Sequence, residues 1–292
     1  MTKLLAIETT GMRGSVACAE DGRLLAEHTL NPNQRSAQSL APAIEEILKE
    51  LGWRPDALDA IAVAIGPGSF TGLRVGVTTA KILAWSCGAA IYGIDALESL
   101  VFPALSELQA GMHKDGVPCE IISTGLDAQR GDAVVRDFFV FPDSPNPVPL
   151  SNASRLVPVK EWLTPETCQT ELRRMTETSV PNIVGEAVRA AIERFRYCGP
   201  FLGSKRIKYT ESVAARFLPK QYWEPAASSI ALAAMARMTR PADANGAKSP
   251  NGSDNPFTLL PVYSRESAAE EKRARLRQGA QDPPPGNLII IR

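Results

Sequence analysis

Apolar positions follow two rhythms along this chain. Near its start they form short runs. Residues 3–7 are apolar after Lys3, 15–19 alternate, and 24–29 follow after the turn Glu20-Asp21-Gly22-Arg23, while Gly11 and Gly14 bracket an earlier turn. Runs of this length with turn residues between them predict three strands in a meander. A polar loop, 31–38, then leads into residues 40–51. There Leu40, Ile44, Ile47, Leu48 and Leu51 recur at helical spacing on one stripe. Pro42 suits the first turn of that helix, where no N–H partner is needed. Residues 60–65 carry no charge and suit a strand covered on both faces. A second helix follows, capped by Ser69 or Thr71 and ended by Gly88.

The later half echoes this order. Residues 120–124 read as a strand with Asp127 at its end, Gly131 turns, and 132–139 alternate, as strand, Glu8, turn, Gly14 and strand do earlier. Residues 142–149 hold four prolines and predict a loop. Residues 239–256, rich in Pro, Asn, Gly and Ser, predict a flexible insertion. Residues 270–277 alternate charges, as a solvated helix face does. A Pro-rich spacer, 282–286, precedes an apolar end at 288–291, which suits an edge strand or the surface. The division expected is 1–104, 105–238, the insertion 239–256, and a closing segment and tail, 257–292.

Between strand 60–65 and its helix lies the loop Gly66, Pro67, Gly68, Ser69, Phe70, Thr71, Gly72. A helix start after such a loop offers unpaired N–H groups and partial positive charge, so it can hold a phosphate. Spacing excludes two phosphate motifs. Thr71 stands where the P-loop needs its second glycine, and also where the dinucleotide fingerprint needs its third. A phosphate seat of another kind, or a packing turn in which Gly72 and Gly76 admit a close neighbour, both remain.

The string from Gly66 to Gly76, followed by Thr79-Ala80-Lys81, resembles the signature of the TsaB (YeaZ) family. Leu4-Leu-Ala-Ile-Glu-Thr-Thr10 is similar to that family's opening strand, Leu126-Asp-Ala-Gln-Arg-Gly131 to its mid-chain turn, and Leu260-Pro-Val-Tyr-Ser-Arg265 to its closing motif. The likeness is strong over residues 3–140, patchy to 265 and absent from the last two dozen residues. It implies an α/β fold of two ribonuclease-H-like lobes, the actin, sugar-kinase and heat-shock-protein architecture, with mixed sheets flanked by helices. It also implies a part in making threonylcarbamoyladenosine at position 37 of transfer RNA.

Composition narrows the field. The 292 residues are 44% hydrophobic, enough for two cores, and their formal net charge is zero. Neutrality argues against a large basic face that grips nucleic acid unaided. The five cysteines (Cys18, Cys87, Cys119, Cys168 and Cys198) are widely spaced and form no C-x-x-C pair, so they read as small buried hydrophobes in a reducing cytosol. Glu8 interrupts the N-terminal apolar run and Lys81 the longest later one, so a cytoplasmic protein with no signal peptide or membrane span is expected.

The helix after the glycine loop is apolar nearly all round. Leu73, Val75, Val77, Ile82, Leu83 and Trp85 cover more than one face, with Gly76, Ala80 and Ala84 between them. Such a helix is covered on several sides, which predicts a protein contact there. The resemblance implies that both helices, through Leu40, Ile44, Ile47, Leu48, Leu51, Leu73, Gly76, Val77, Ala80, Leu83 and Ala84, form a bundle with the catalytic TsaD subunit, or with a second copy. On this reading Val77→Asp or Leu83→Arg abolishes pairing and leaves the fold intact.

Kinase-like members of the implied fold hold magnesium on one carboxylate from each half. The matching positions are Glu8 and Asp127, with Gly185 after 182–184 beside an adenosine. Many TsaB proteins have Asp at the first position, and Glu shifts the charge by about 1.5 Å. TsaD binds its metal through two histidines four apart on a helix, whereas His28 and His113 read as surface or capping residues. No Ser-His-Asp pattern is present, which gives a protease no support. Arg74 and Lys81 read as solvated cations, or as partners for an anion.

The expected function is therefore a scaffold with no catalytic residue, no metal and no required cofactor, ATP or ADP with magnesium binding weakly if at all. Its implied partners are a TsaD-like subunit and a TsaE-like ATPase, with transfer RNA met only through the complex and no membrane. One alternative is an ATP-binding phosphotransferase using Glu8 and Asp127. Another is a transfer-RNA-binding accessory resting on Arg173-Arg174 and Lys205-Arg206.

Overall fold

A computed structural model describes residues 1–11, 13–128, 130–151, 153–179, 186–203, 209–239 and 253–263. Strands β1 (Lys3–Glu8), β2 (Ser15–Glu20) and β3 (Arg23–Thr29) form the expected meander. Helix α1 (Ser36–Glu50) precedes β4 (Ala60–Gly66), α2 (Phe70–Cys87) follows it, and β5 (Ala90–Asp95) closes the first sheet. The strand order is β3-β2-β1-β4-β5, antiparallel through the meander and parallel from β1 to β5. This is the ribonuclease-H-like arrangement.

Helix α1 starts four residues earlier than its apolar stripe suggests. Pro42 therefore lies inside the helix, not in its first turn. Proline offers no N–H to the carbonyl four residues back, that of Gln38. The end of α2 is as expected, with Gly88 in the left-handed conformation at φ 69°.

Short α3 (Ala96–Ser99) and α4 (Leu105–Asp115) lead to a second sheet built on the hairpin β6 (Glu120–Asp127) and β7 (Asp132–Val140). The proline-rich stretch contains a two-residue strand, β8 (Val148–Pro149), where only a loop was expected. Both β8 and β9 (Arg155–Pro158) pair with β7. After α5 (Val159–Trp162), α6 (Pro165–Ser179) and α7 (Glu186–Glu193), strand β10 (Arg196–Cys198) runs parallel to β6. The run β10-β6-β7 thus repeats β4-β1-β2: a hairpin whose first strand also takes a parallel neighbour.

Two last helices are α8 (Glu211–Ala214) and α9 (Ala227–Met238). Helix α9, which falls within the expected division 105–238, packs against every strand of the first sheet. The reason is visible in residue sizes. On β1, β2 and β4 the large side chains Leu5, Ile7, Val16, Ile61 and Val63 lie in the core beneath α1 and α2. The alternate positions Ala6, Ala17, Ala19, Ala60, Ala62 and Ala64 lie in a different core, with Ala227, Ala231, Ala233 and Ala234 of α9. Small residues on both surfaces let helix and sheet approach closely. That core continues through α3 and α4 to Ile122, Leu126, Val134 and Phe138 of the second sheet, so one apolar interior joins both halves. Asp95 also reaches Arg136 across the join at 2.6 Å.

Residues 253–263 run back over the first sheet as a strap. Asp254, expected within the flexible insertion, is anchored: its N–H donates to the Ile91 carbonyl at 2.8 Å. Its carboxylate accepts from Gly93 N at 2.8 Å and Arg237 Nη2 at 2.9 Å. Farther on, Val262 N donates to the Ile65 carbonyl at 2.6 Å. The rest of the insertion (240–252), the charged stretch 270–277 and the tail 283–292 lie outside the described residues.

Candidate functional site

The glycine loop and the turn after β1 interlock. Ser69 caps α2 by accepting from Gly72 N at 3.3 Å, and Ser69 N donates to the Thr10 carbonyl at 2.9 Å. Thr9 lies across the helix start, where its hydroxyl donates to the Gly72 carbonyl at 2.8 Å. A Cβ on Gly72 would stand 1.8 Å from the Thr9 carbonyl oxygen, one on Gly76 would stand 2.2 Å from Thr9 Oγ1, and one on Gly68 would stand 2.4 Å from Thr10 Cβ. None of these separations is tolerable, so the glycines are the seat for Thr9 and Thr10. Gly66 has φ 116° and sits against the Val262 carbonyl. Pro67 follows it, and Phe70 and Thr71 open the helix. Of the two readings of this loop, packing accounts for each glycine's neighbour.

Glu8 ends β1 and Asp127 ends β6, the equivalent strand of the second sheet. Their surroundings differ. Glu8 is fully buried, while Asp127 is exposed. The Glu8 carboxylate accepts from Thr10 N at 2.7 Å, from the Thr10 hydroxyl, and from Gly11 N at 3.4 Å. Burial raises its pKa to about 7, and those three hydrogen bonds only partly oppose the rise. The carboxylate is thus taken up by its own turn. Gly185 and residues 182–184, expected beside it, lie outside the described residues, as do Lys205 and Arg206. Among the described residues no three His, Cys, Asp or Glu side chains converge as metal ligands do.

The two helices require a correction. Leu40, Ile44, Ile47, Leu48, Val77, Ala80 and Ala84 are buried in the protein's own core, as are Leu73 and Gly76. They are not a free docking stripe, and Val77→Asp would strike the core. Only Leu51 and Leu83 of the expected set are part-exposed. The outward face is made by others: Ile82 and Trp85 on α2 are 59% and 70% exposed. A groove of about 430 Å³ opens between the two helices, with Thr79 and Leu83 its contribution from α2. Its lining includes Ile44, Leu48 and Leu83, with Trp53, Glu45 and Lys49.

Arg74 and Lys81 hold the strap. Arg74 stacks on Phe70, 4.1 Å from the ring centre, and donates to the Tyr263 hydroxyl at 3.3 Å. Tyr263 packs on Phe70 at 4.8 Å between ring centroids. Lys81 Nζ donates to the Leu259 carbonyl at 3.0 Å. The signature helix and the closing motif are therefore one unit. The two motifs were each legible in the sequence; their meeting across nearly two hundred residues was not.

The histidines are apart, His28 on Glu50 at 2.6 Å and His113 near Asp143 at 3.5 Å. Arg173 and Arg174 are paired with Glu193 and Glu171. Cys18, Cys119, Cys168 and Cys198 are buried, and Cys87 is part-exposed. No described helix is long and apolar enough to cross a membrane.

Comparison with known proteins supplies the rest. The family model "TsaD: tRNA N6-adenosine threonylcarbamoyltransferase" matches residues 23–134. The tRNA threonylcarbamoyladenosine biosynthesis protein TsaB of Bacillus subtilis (strain 168) is 35% identical over 128 residues, which are 44% of this chain and 51% of that protein. A tRNA N6-adenosine threonylcarbamoyltransferase of Anaeromyxobacter dehalogenans is 34% identical over 148 residues, 45% of this chain and 44% of that protein. The chain thus spans about half the length of the curated relatives it matches. The solved structure of YeaZ from Pseudomonas aeruginosa superposes over 90% of this chain and 100% of that one, with a TM-score of 0.60 and 21% identity, and so shares its fold.

Proposed function

We propose that the chain is a member of the TsaB (YeaZ) family, 44% of its length being 35% identical to one such protein, and that it is a non-catalytic scaffold for threonylcarbamoyl transfer to adenosine 37 of transfer RNA. It docks and activates a TsaD-like subunit in the cytoplasm. A TsaE-like ATPase joins that complex, and transfer RNA is met only there. The same helices serve a homodimer when the partner is absent. No metal or cofactor is required, and ATP or ADP with magnesium binds weakly if at all.

The observation that carries this reading is the outward apolar face of α2, where Ile82 and Trp85 stand exposed. Monomeric proteins seldom leave a tryptophan so open beside a second large aliphatic side chain without a partner for it. The phosphotransferase alternative draws no support from Glu8, whose carboxylate is engaged by Thr10 and Gly11.

The test is co-expression with the TsaD-like subunit from the same source. Ile82→Arg with Trp85→Asp should abolish co-purification and the modified nucleoside, while circular dichroism stays that of the unaltered chain. A complex that survives both substitutions would overturn the docking face.

A further inference from the structure

Resting on the docking reading above, we infer that the strap, residues 253–263, is the second wall of the docking face, so that a TsaD-like subunit meets its outward side chains together with those of α2. Helix α2 by itself offers too little. Its exposed large apolar side chains are Ile82 and Trp85. At roughly 150–250 Å² for a whole side chain of this class, the two present about 280 Å². Each partner in a standard interface gives about 800 Å². The strap supplies the difference. Leu259 is buried in the core beneath α1 and α2, while its neighbour Leu260 is 69% exposed. Phe257 is 75% exposed, and Val262 and Tyr263 are 49% and 40% exposed. With these four the apolar area reaches about 700 Å² on the same scale.

Both parts lie on one surface. The strap is tied along a single stripe of α2, at Phe70, Arg74 and Lys81. Trp85 stands one turn beyond Lys81 on that stripe, with Ile82 three residues from it. The strap runs antiparallel to the helix, from Asp254 on Ile91, through Leu259 on Lys81, to Tyr263 on Phe70. Phe257 therefore falls beyond Lys81, toward the end of α2 that carries Trp85. Charge selects the occupant. Helix α2 has no acidic residue, and its charges are Arg74 and Lys81. A second copy docked through the same surface about a two-fold axis sets those cations against their own counterparts. A TsaD-like subunit whose apolar surface is edged with carboxylates meets them with the opposite sign.

Calorimetry of the full-length chain with the purified TsaD-like subunit from the same source tests this. Phe257→Ser with Leu260→Ser should weaken binding at least about tenfold. Hydrogen exchange at residues 254–262 should stay as in the unaltered chain, and rising salt should weaken binding of the unaltered chain. Unchanged affinity in the strap variant would overturn the inference, and so would affinity that grows with salt. Faster exchange at 254–262 in the variant would also overturn it, since those side chains would then be holding the strap in place. A loss confined to self-association, measured by sedimentation of the chain alone, would replace the partner by a second copy. Ile82→Arg with Trp85→Asp tests the α2 face separately. If only that change weakens binding, the strap inference falls and the docking reading stands; if only the strap change does, the reading of α2 falls and the strap keeps its place in the interface.

Discussion

Thr9 and Gly72 are in contact through backbone and side chain at once. The Thr9 hydroxyl donates to the Gly72 carbonyl at 2.8 Å, and the Thr9 carbonyl occupies the place of a Gly72 side chain. The turn after β1 is thereby keyed into α2. Gly72→Ala should cost about 3 kcal/mol, since backbone on both sides must move. Gly111→Ala is the control. Gly111 lies in α4, and a Cβ there meets nothing within 4 Å. It should stabilise by about 0.5–1 kcal/mol through helix propensity alone. Urea unfolding of both variants checks the contrast.

Glu8 makes stability depend on pH in the direction opposite to most carboxylates. Its folded pKa is raised from 4.5 to about 7, so between those values the folded protein binds the proton that the unfolded chain has lost. Its contribution is present below about pH 4.5, falls as pH rises through the window, and is gone above about 7. The full span is on the order of 3 kcal/mol at 1.36 kcal/mol per unit. Glu8→Gln should therefore be more stable than the unaltered chain at pH 8 and should gain nothing at pH 4. Denaturant midpoints of the two proteins across pH 4–8 measure the difference directly.

The strands and helices of the first sheet were readable because each carries its own period and its own turn residues. What periodicity leaves open is who covers an apolar face. The stripe Leu40, Ile44, Ile47 and Leu48 is the same pattern whether it meets a partner or its own sheet, and here it meets the sheet. Helix α9 is not legible in the sequence, because an alanine-rich run has little amphipathic contrast. Yet its target was written in the alternation Ala60-Ile61-Ala62-Val63-Ala64, small on one face and large on the other. At Glu8 the sequence revealed a carboxylate at a strand end but not its burial. That depends on Thr10 and Gly11 folding back over it. The strap depends on contacts between residues far apart in the chain, such as Lys81 with Leu259, which local pattern cannot report.

Asp254 should prove the strap's main anchor. It ties Gly93 N to Arg237, whose Nη1 returns to the Gly93 carbonyl at 2.9 Å. Asp254→Ala leaves a half-buried guanidinium and an amide without this acceptor, at a cost of about 1–3 kcal/mol. Because the strap's other ties are a few hydrogen bonds, one ring contact and the single buried side chain of Leu259, the loss should appear first as local opening. Exchange at residues 254–262 should quicken well before global stability accounts for it. Uniform acceleration over the whole chain would show that the strap and first sheet open as one.

Val77 and Trp85 lie two turns apart on α2 and should respond in opposite ways to the same charge. Val77 is 2% exposed and sits in the core beneath α1 and α2. An aspartate there places an unpaired carboxylate in apolar surroundings, and the fold should lose about 3–5 kcal/mol or fail to form. Trp85 is 70% exposed, so Trp85→Asp should change stability by no more than about 0.5 kcal/mol. Thermal unfolding separates the two. A stable Trp85→Asp protein that no longer binds a TsaD-like subunit would place the docking energy on the outer face of α2. If Val77→Asp instead stays folded while Trp85→Asp collapses, the orientation of this helix is wrong, and with it the assignment of its inner face to the core.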